Sequence, residues 1–362
     1  MASVSQLVEQ WIRPEIRDIR AYHVQPADNM IKLDAMENPY SWTPEMQGGW
    51  IERVRGMNFN RYPDPGATRL RERLRAHLQL PDGQEILFGN GSDELIQLLM
   101  MAIARPGLSV LSVSPTFVMY DMIARFVGLD YHSVALKADF SLDLDAVLAA
   151  IEQHKPALVF IAYPNNPTGN AFDRKAIESI IEQSPGLVIV DEAYNAFAED
   201  TFLPDIERYA NLLVMRTFSK VGLAGFRLGY LVGHQAWIEQ IDKIRLPYNI
   251  NVVSQAGVCF ALEHQTVLAA QAEQIKQDRE ALAQALAELP GVLVYPSQAN
   301  FLTLRVPQGE ADRIFDGLKQ DGILIKNLSP NGGLLQDCLR VTVGAPNENQ
   351  AFLNSFKAHL QP

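Results

Sequence analysis

Cysteine is nearly absent from this chain. Its two cysteines, Cys259 and Cys338, are far apart and form no CxxC, which excludes a thiolate metal site, a dithiol centre or a disulfide framework. Basic charge is also in the minority: 31 Lys and Arg stand against 42 Asp and Glu, a formal net charge of -11. A nucleic-acid surface needs clustered lysine and arginine, and no such cluster occurs, so no nucleic-acid partner is expected. A small anionic substrate remains compatible with a few well-placed arginines. No uninterrupted apolar run approaches the roughly 20 residues of a membrane span, so no membrane partner is expected either. The first residues, MASVSQLVEQWIRPEIRD, have no basic start followed by an apolar core and a small-residue cleavage site, which points to the cytoplasm. HExxH and GxSxG are missing, and no internal repeat or low-complexity linker interrupts the chain.

What is present is an ordinary globular composition, 48% hydrophobic and 20% charged over 362 residues, long enough for two domains. Short apolar runs predict strands at Val110–Val113, Tyr131–Val134, Leu158–Ala162, Leu187–Val190 and Leu212–Met215. Helical spacing over Phe117–Phe126, Leu144–Ile151 and Arg174–Ile181 separates most of them. Such alternation predicts an α/β fold whose mainly parallel sheet is covered by helices, with ligand groups at the carboxyl ends of strands. The apolar-periodic stretch from Val253 to about Leu289, breaking near His264, should hold a helix connecting two domains. Strands at Val292–Val294, Phe301–Leu304, Ile323–Lys326 and Leu339–Val343, then a helix from Asn347, suggest a smaller α/β domain. The expected division is an N-terminal arm (1–30) packing with the small domain, a large domain (31–264) and a small C-terminal domain (265–362).

The polar residues worth attention stand where these strands end. Thr217-Phe218-Ser219-Lys220 follows the apolar run Leu212–Met215, and Arg227 comes seven residues after the lysine. A lysine at the mouth of a sheet, with a hydroxyl before it and an arginine after it, suits a Schiff base with a phosphorylated aldehyde cofactor, or is a solvated loop. Gly89-Asn90-Gly91-Ser92-Asp93 joins a strand to a helix and can offer backbone N–H groups to a phosphate, although Asp93 and Glu94 also suit any first helical turn. The third glycine of GxGxxG is missing. Asp191 ends the buried-looking strand Leu187–Val190, where a carboxylate must meet a cation or hydrogen-bond donors, either a pyridinium nitrogen or a structural arginine. Arg340 lies inside the apolar CLRVTVG and calls for an anion.

Taken together, YPNNPTG (Tyr163–Gly169), DEAY (Asp191–Tyr194), Ser219-Lys220 and Arg227 resemble the fold-type-I aminotransferases, which use pyridoxal 5'-phosphate. Within them, KLDAMENPY, NRYPDPGA, FGNGSDELI, SPTFVMY, TFSKVGLAGFRLGY and CLRVTVGAPNEN resemble the blocks of the histidinol-phosphate aminotransferase family, from Arg13 to the C-terminus. Met36, Phe117 and Tyr163 stand where that family often has asparagine, tyrosine, and asparagine or serine.

The resemblance implies transfer of the amino group of L-histidinol phosphate to 2-oxoglutarate, giving imidazole acetol phosphate and L-glutamate, in histidine biosynthesis. It implies that Lys220 forms the Schiff base and moves the proton, and that Asp191 pairs with the pyridine nitrogen. Asn166 and Tyr194 would bond the ring oxygen, with Phe117 stacked on the ring. Ser92, Asp93, Ser219 and Arg227 would hold the cofactor phosphate. Arg340 would bind the substrate phosphate or carboxylate, with Tyr22 and Asn38 completing the pocket. Tyr62 would reach the neighbouring subunit's site in a homodimer. An aromatic-amino-acid aminotransferase, a phospho-amino-acid decarboxylase of the same fold and a non-catalytic ligand-binding protein are the alternatives.

Overall fold

The computed structural model describes residues 2–19, 21 and 25–360. Its strands, in chain order, are β1 (Ile31–Lys32), β2 (Gln84–Gly89), β3 (Ser109–Ser114), β4 (Asp130–Ala135), β5 (Leu158–Ala162), β6 (Leu187–Asp191), β7 (Leu212–Thr217), β8 (Gly229–His234), β9 (Leu293–Val294), β10 (Phe301–Arg305), β11 (Ile323–Leu324), β12 (Lys326–Asn327) and β13 (Cys338–Thr342). β2 to β8 form a seven-stranded sheet in the order β2-β8-β7-β6-β5-β3-β4. The pairs from β7 to β4 are parallel, while β8 runs antiparallel to both its neighbours.

The central strands are buried on both faces, which is why they read as continuous apolar runs. Alternate residues serve opposite cores. Val159, Ile161, Val188, Val190 and Val214 pack on one face, under the helices Leu144–His154 and Arg174–Gln183. Leu158, Phe160, Ile189, Leu213 and Met215 pack on the other, with the helices Ser92–Ile103 and Met119–Val127. Each fully buried side chain of this kind contributes about 1.5–3 kcal/mol relative to exposure. This two-sided packing makes the sheet a rigid base for the loops at its carboxyl edge.

A second, antiparallel sheet has the order β12-β13-β10-β9 and its own core of Leu302, Leu304, Leu339, Val341, Phe352 and Phe356. The helix Gln265–Ala287, starting after a break at His264, spans the two sheets. Leu268 packs on the large-sheet core, whereas Leu282 and Leu286 belong to the small one.

Three expectations change here. The segment expected as one strand, Ile323–Lys326, divides: β11 pairs with β1, and β12 pairs with β13 in another sheet, with Ile325 buried between them. Residues 31–33, expected in the large domain, therefore attach to the small one, where Leu33 also accepts from Thr342 N–H at 2.8 Å. Within the arm, expected on the small domain, the short helix Pro14–Arg17 lies instead against Met119–Val127, with Arg13 donating to the Phe126 carbonyl, whereas Gln25 lines a cleft with Phe315 and Leu324 of the small domain. Phe126 lies in the last turn of the Met119–Val127 helix, where carbonyls without an intrahelical partner accept hydrogen bonds from a cation.

Candidate active site

Five loops at the carboxyl edge of the large sheet converge on one cleft of about 220 Å3. It is lined by Ser92 and Asp93 after β2, Phe117 after β3, Asn166 after β5, Asp191 and Tyr194 at the end of β6, and Ser219 and Lys220 after β7. Arg227 and the Ala35–Glu37 segment close it. The sheet brings together residues from Ser92 to Arg227 because β2 to β7 all deliver their carboxyl ends to that side, while antiparallel β8 begins there, just after Arg227.

Lys220 stands in a short 3-10 turn, Ser219–Val221, ended by Gly222 at φ 96, a left-handed conformation that favours glycine. Its Nζ donates to the Ala35 carbonyl at 3.2 Å and lies 5.8 Å from the Tyr194 ring centroid. Burial lowers its pKa to about 8, and the charge of Arg340 adds to the effect. A neutral amine, the form that attacks a carbonyl, is thus accessible near neutrality.

Asp191 is pushed up to about 6 by burial, while the Tyr120 hydroxyl and Ala193 N–H act in the opposite direction. Tyr120 O–H donates to its Oδ2 at 2.7 Å and Ala193 N–H to its Oδ1 at 3.1 Å. These donors are neutral. The nearby buried arginine, Arg216, pairs instead with Glu192 at 2.8 Å. The carboxylate therefore faces the cleft in want of a cation, as a pyridinium would supply.

Asn166 joins two parts of the site. Its Nδ2 donates to the Tyr194 hydroxyl at 3.1 Å, and its Oδ1 accepts from Arg340 Nη1 at 2.6 Å. Arg340 also donates to the Asp34 carbonyl at 2.9 Å and lies 5.3 Å from the Phe301 ring centroid. It lines two further clefts that adjoin the first at Met36, and Lys326 and Asn331 line both of them.

At the other end, the turn Gly89–Ser92 opens the helix Ser92–Ile103. A Cβ on Gly91 would lie 2.6 Å from Arg227 Nη2, and one on Gly229 would lie 2.8 Å from Ser92 N. The two glycines let the guanidinium and β8 close over a helix N-terminus, a cradle for a dianion. Thr217 O–H donates to Ser219 Oγ at 2.9 Å and orients that hydroxyl. A glycine-lined helix N-terminus, a carboxylate bonded only to neutral donors and a lysine of lowered pKa lie in one cleft, so the residues fit pyridoxal phosphate at both ends.

The remaining expected residues lie elsewhere. Tyr62 is 80% exposed and stacks on Tyr248 with centroids 4.5 Å apart, outside this chain's cleft. Asn38, expected in the substrate pocket, turns its Nδ2 to Gln271 Oε1 at 3.0 Å and accepts from Tyr40 N–H at 2.8 Å, lying against Gly222. The wall at that point is formed by Ala35, Met36 and Glu37 because Asn38's amide is already engaged behind it. Tyr22 lies outside the described residues. Sequence reasoning gave no role to Tyr120, Thr217, Glu37 or Lys326, although the first three lie within the motifs that carry the family resemblance. Among the described residues no group of three or more His, Cys, Asp or Glu could hold a metal, and no helix is long and apolar enough to cross a membrane.

A sheet with a lysine at one strand's mouth, a carboxylate at the next and a glycine-lined helix N-terminus beside them fits an aminotransferase of fold type I, with pyridoxal 5'-phosphate as cofactor. Residues 28–356 match the model of the aminotransferase class I and II family, and the chain belongs to that family. It is 57% identical to histidinol-phosphate aminotransferase 2 of Nitrosococcus oceani, the alignment covering 97% of this chain and 98% of that one. To the histidinol-phosphate aminotransferase of Chromobacterium violaceum it is 50% identical, covering 97% and 98%. The fold superposes on the crystal structure of histidinol-phosphate aminotransferase from Sinorhizobium meliloti in complex with pyridoxal-5'-phosphate. The TM-score is 0.87 at 24% identity, covering 97% of this chain and 98% of that one.

Proposed function

We infer that the chain is a histidinol-phosphate transaminase, converting L-histidinol phosphate and 2-oxoglutarate to imidazole acetol phosphate and L-glutamate by a ping-pong route. The observation that carries this reading is its near full-length identity to enzymes of that name, 57% and 50%, in a chain whose cofactor cleft adjoins a second cleft lined by Arg340 and Lys326.

Bound pyridoxal phosphate supplies the electron sink that lets the α-carbon of an amine lose its proton. The chain does the rest. Lys220 would hold the cofactor and then carry the proton between the substrate carbon and the cofactor carbon. Its lowered pKa, about 8, gives it a share of the neutral, basic form near neutral pH. Asp191 would keep the ring nitrogen protonated. Asn166 and Tyr194 would bond the ring oxygen, and Phe117 would cover one face. Ser92 and Asp93 N–H, the Ser219 hydroxyl and Arg227 would grip the phosphate, so the ring stays anchored while Lys220 is displaced.

Histidinol phosphate has no carboxylate, whereas glutamate has two. Arg340, a planar fork of donors, would take the phosphate of one and a carboxylate of the other. Lys326 adds a second cation in the adjoining cleft. Tyr22 and Asn38 belong to this pocket by resemblance. In the case of Asn38 that requires its side chain to leave Gln271.

The active unit is read as a cytoplasmic homodimer in which Tyr62 serves the neighbouring site. Its exposure, and the exposed Phe59 and Leu246, support this. Residues 34–264 act as the cofactor domain and 265–362, with the 31–33 segment, as the smaller one. Sedimentation at micromolar concentration tests the dimer, and a monomer with full activity would refute it.

The function is tested by turnover with 2-oxoglutarate and, separately, histidinol phosphate, phenylalanine and a phosphorylated amino acid. Glutamate formed fastest from histidinol phosphate is the expected result. Faster formation from phenylalanine would assign an aromatic transaminase, and release of carbon dioxide without glutamate a decarboxylase.

A further inference from the structure

Tyr120 has no part in the roles assigned above, yet it is fully buried between two groups that do. Its ring stacks on Phe160 at 4.8 Å and meets Phe117 edge-on, with centroids 5.6 Å apart and planes at 87°. Its hydroxyl donates to Asp191 Oδ2 at 2.7 Å, while Ala193 N–H occupies the other oxygen. The two donors clamp the carboxylate in one orientation with its remaining lone pairs free, and Asp191 lines the cleft. Phe117, three residues earlier on the same loop-to-helix connection, lines that cleft too.

We propose that Tyr120 is a positioning residue of the cofactor site. Its hydroxyl orients Asp191 and favours its ionised form, and its ring sets the plane of Phe117, so that one side chain aligns both contacts to the cofactor ring. This rests on the roles proposed above for Asp191 and Phe117.

The physical argument is one of compensation. Burial disfavours the Asp191 carboxylate, and the neighbouring Asp93 and Glu192 disfavour it further. Among the described residues no cation is bonded to it, so the hydroxyl and the amide are what offset that cost. Tyr120 suits the task because burial, then the Asp191 charge, hold its own phenol far above its ordinary pKa; Tyr131 and Tyr194 act in the same direction. It therefore remains a donor at any working pH. A phenylalanine would keep the contacts to Phe160 and Phe117 and remove only the hydrogen bond.

The test compares Tyr120→Phe, Asp191→Asn and the double variant with the wild type. The cofactor-free proteins are titrated with pyridoxal phosphate by fluorescence, and the Asp191 carboxyl is titrated by carbon-13 NMR. Tyr120→Phe should raise the Asp191 midpoint by about one unit and weaken cofactor binding about ten-fold, the range for a hydrogen bond to a charged group. In the Asp191→Asn background the same change should have much less effect, because its partner's charge is gone. A purely structural tyrosine would lower the melting temperature and leave the midpoint alone.

An unchanged midpoint and affinity in Tyr120→Phe, with Asp191→Asn weakened, would overturn the inference. If Asp191→Asn binds the cofactor normally, the role of Asp191 itself fails, and that is a separate result. Should Tyr120→Phe not fold, 3-fluorotyrosine at position 120, a stronger donor of nearly the same shape, must lower the midpoint; an unchanged or raised midpoint would overturn the inference.

Discussion

Replacing Gly91 by alanine separates backbone strain from cofactor binding in a single variant. Gly91 has φ 87 and ψ 170, a region almost restricted to glycine, so a side chain there costs about 1–3 kcal/mol of stability. The new Cβ would also lie 2.6 Å from Arg227 Nη2. That atom is the far end of a flexible side chain, so the arginine yields and the backbone need not. Displacing it would remove the charge-assisted contact proposed between Arg227 and the phosphate, worth about 1.5–3 kcal/mol, which is roughly 10- to 150-fold in affinity. Urea denaturation of the cofactor-free protein measures the first effect, and fluorescence titration with pyridoxal phosphate the second. In an Arg227→Ala background the affinity loss on Gly91→Ala should shrink, because the clash has gone. Wild-type affinity in Gly91→Ala would refute the placement of Arg227 over the phosphate cradle.

Lys220→Met should abolish transamination and stabilise the cofactor-free protein at neutral pH. The lysine's folded pKa, about 8, lies below its ordinary 10.5, so the unfolded chain binds more protons between those values. Wild-type stability should therefore rise with pH across that window, by no more than about 3 kcal/mol, and urea melts of Lys220→Met should lack the rise. Arg216→Met should destabilise the fold by about 3–5 kcal/mol, because it leaves the fully buried Glu192 without its cation; a loss under about 1 kcal/mol in urea melts would contradict this. Arg340→Lys should raise KM for both histidinol phosphate and 2-oxoglutarate about ten-fold or more, since a point charge cannot replace a bidentate fork. Cofactor affinity should change far less, and a selective loss of one substrate would argue against the shared use of this arginine.

Much of the cofactor cleft was legible in the chain because it follows from strand ends. A buried parallel strand appears as an apolar run, and the polar residues that follow it stand at or near the sheet's carboxyl edge; Asp191 directly follows its run, whereas Lys220 comes after Arg216 and Thr217, which still belong to β7. The Gly91–Ser92 turn was legible for a similar reason, as a strand, a glycine and a helix start in succession. Contacts between elements were not. Tyr120 and Asp191 are 71 positions apart, and nothing local distinguishes that tyrosine from a core aromatic. Asn38 is a related case: the resemblance implies a pocket residue, and no local signal marks the partner that holds its amide, Gln271, 233 positions away. The split of β11 from β12 also escaped the pattern, because a short apolar run carries no sign of which sheet each half joins.

The most direct test of the central claim is a single half-reaction, with the purified protein loaded with pyridoxal phosphate, mixed with L-histidinol phosphate and followed by the cofactor's absorbance. Conversion of the cofactor from its aldehyde-derived to its amine form, reversed on adding 2-oxoglutarate, is the predicted result and would establish both substrates and the ping-pong order. An unchanged spectrum with histidinol phosphate, alongside conversion by phenylalanine or tyrosine, would contradict it.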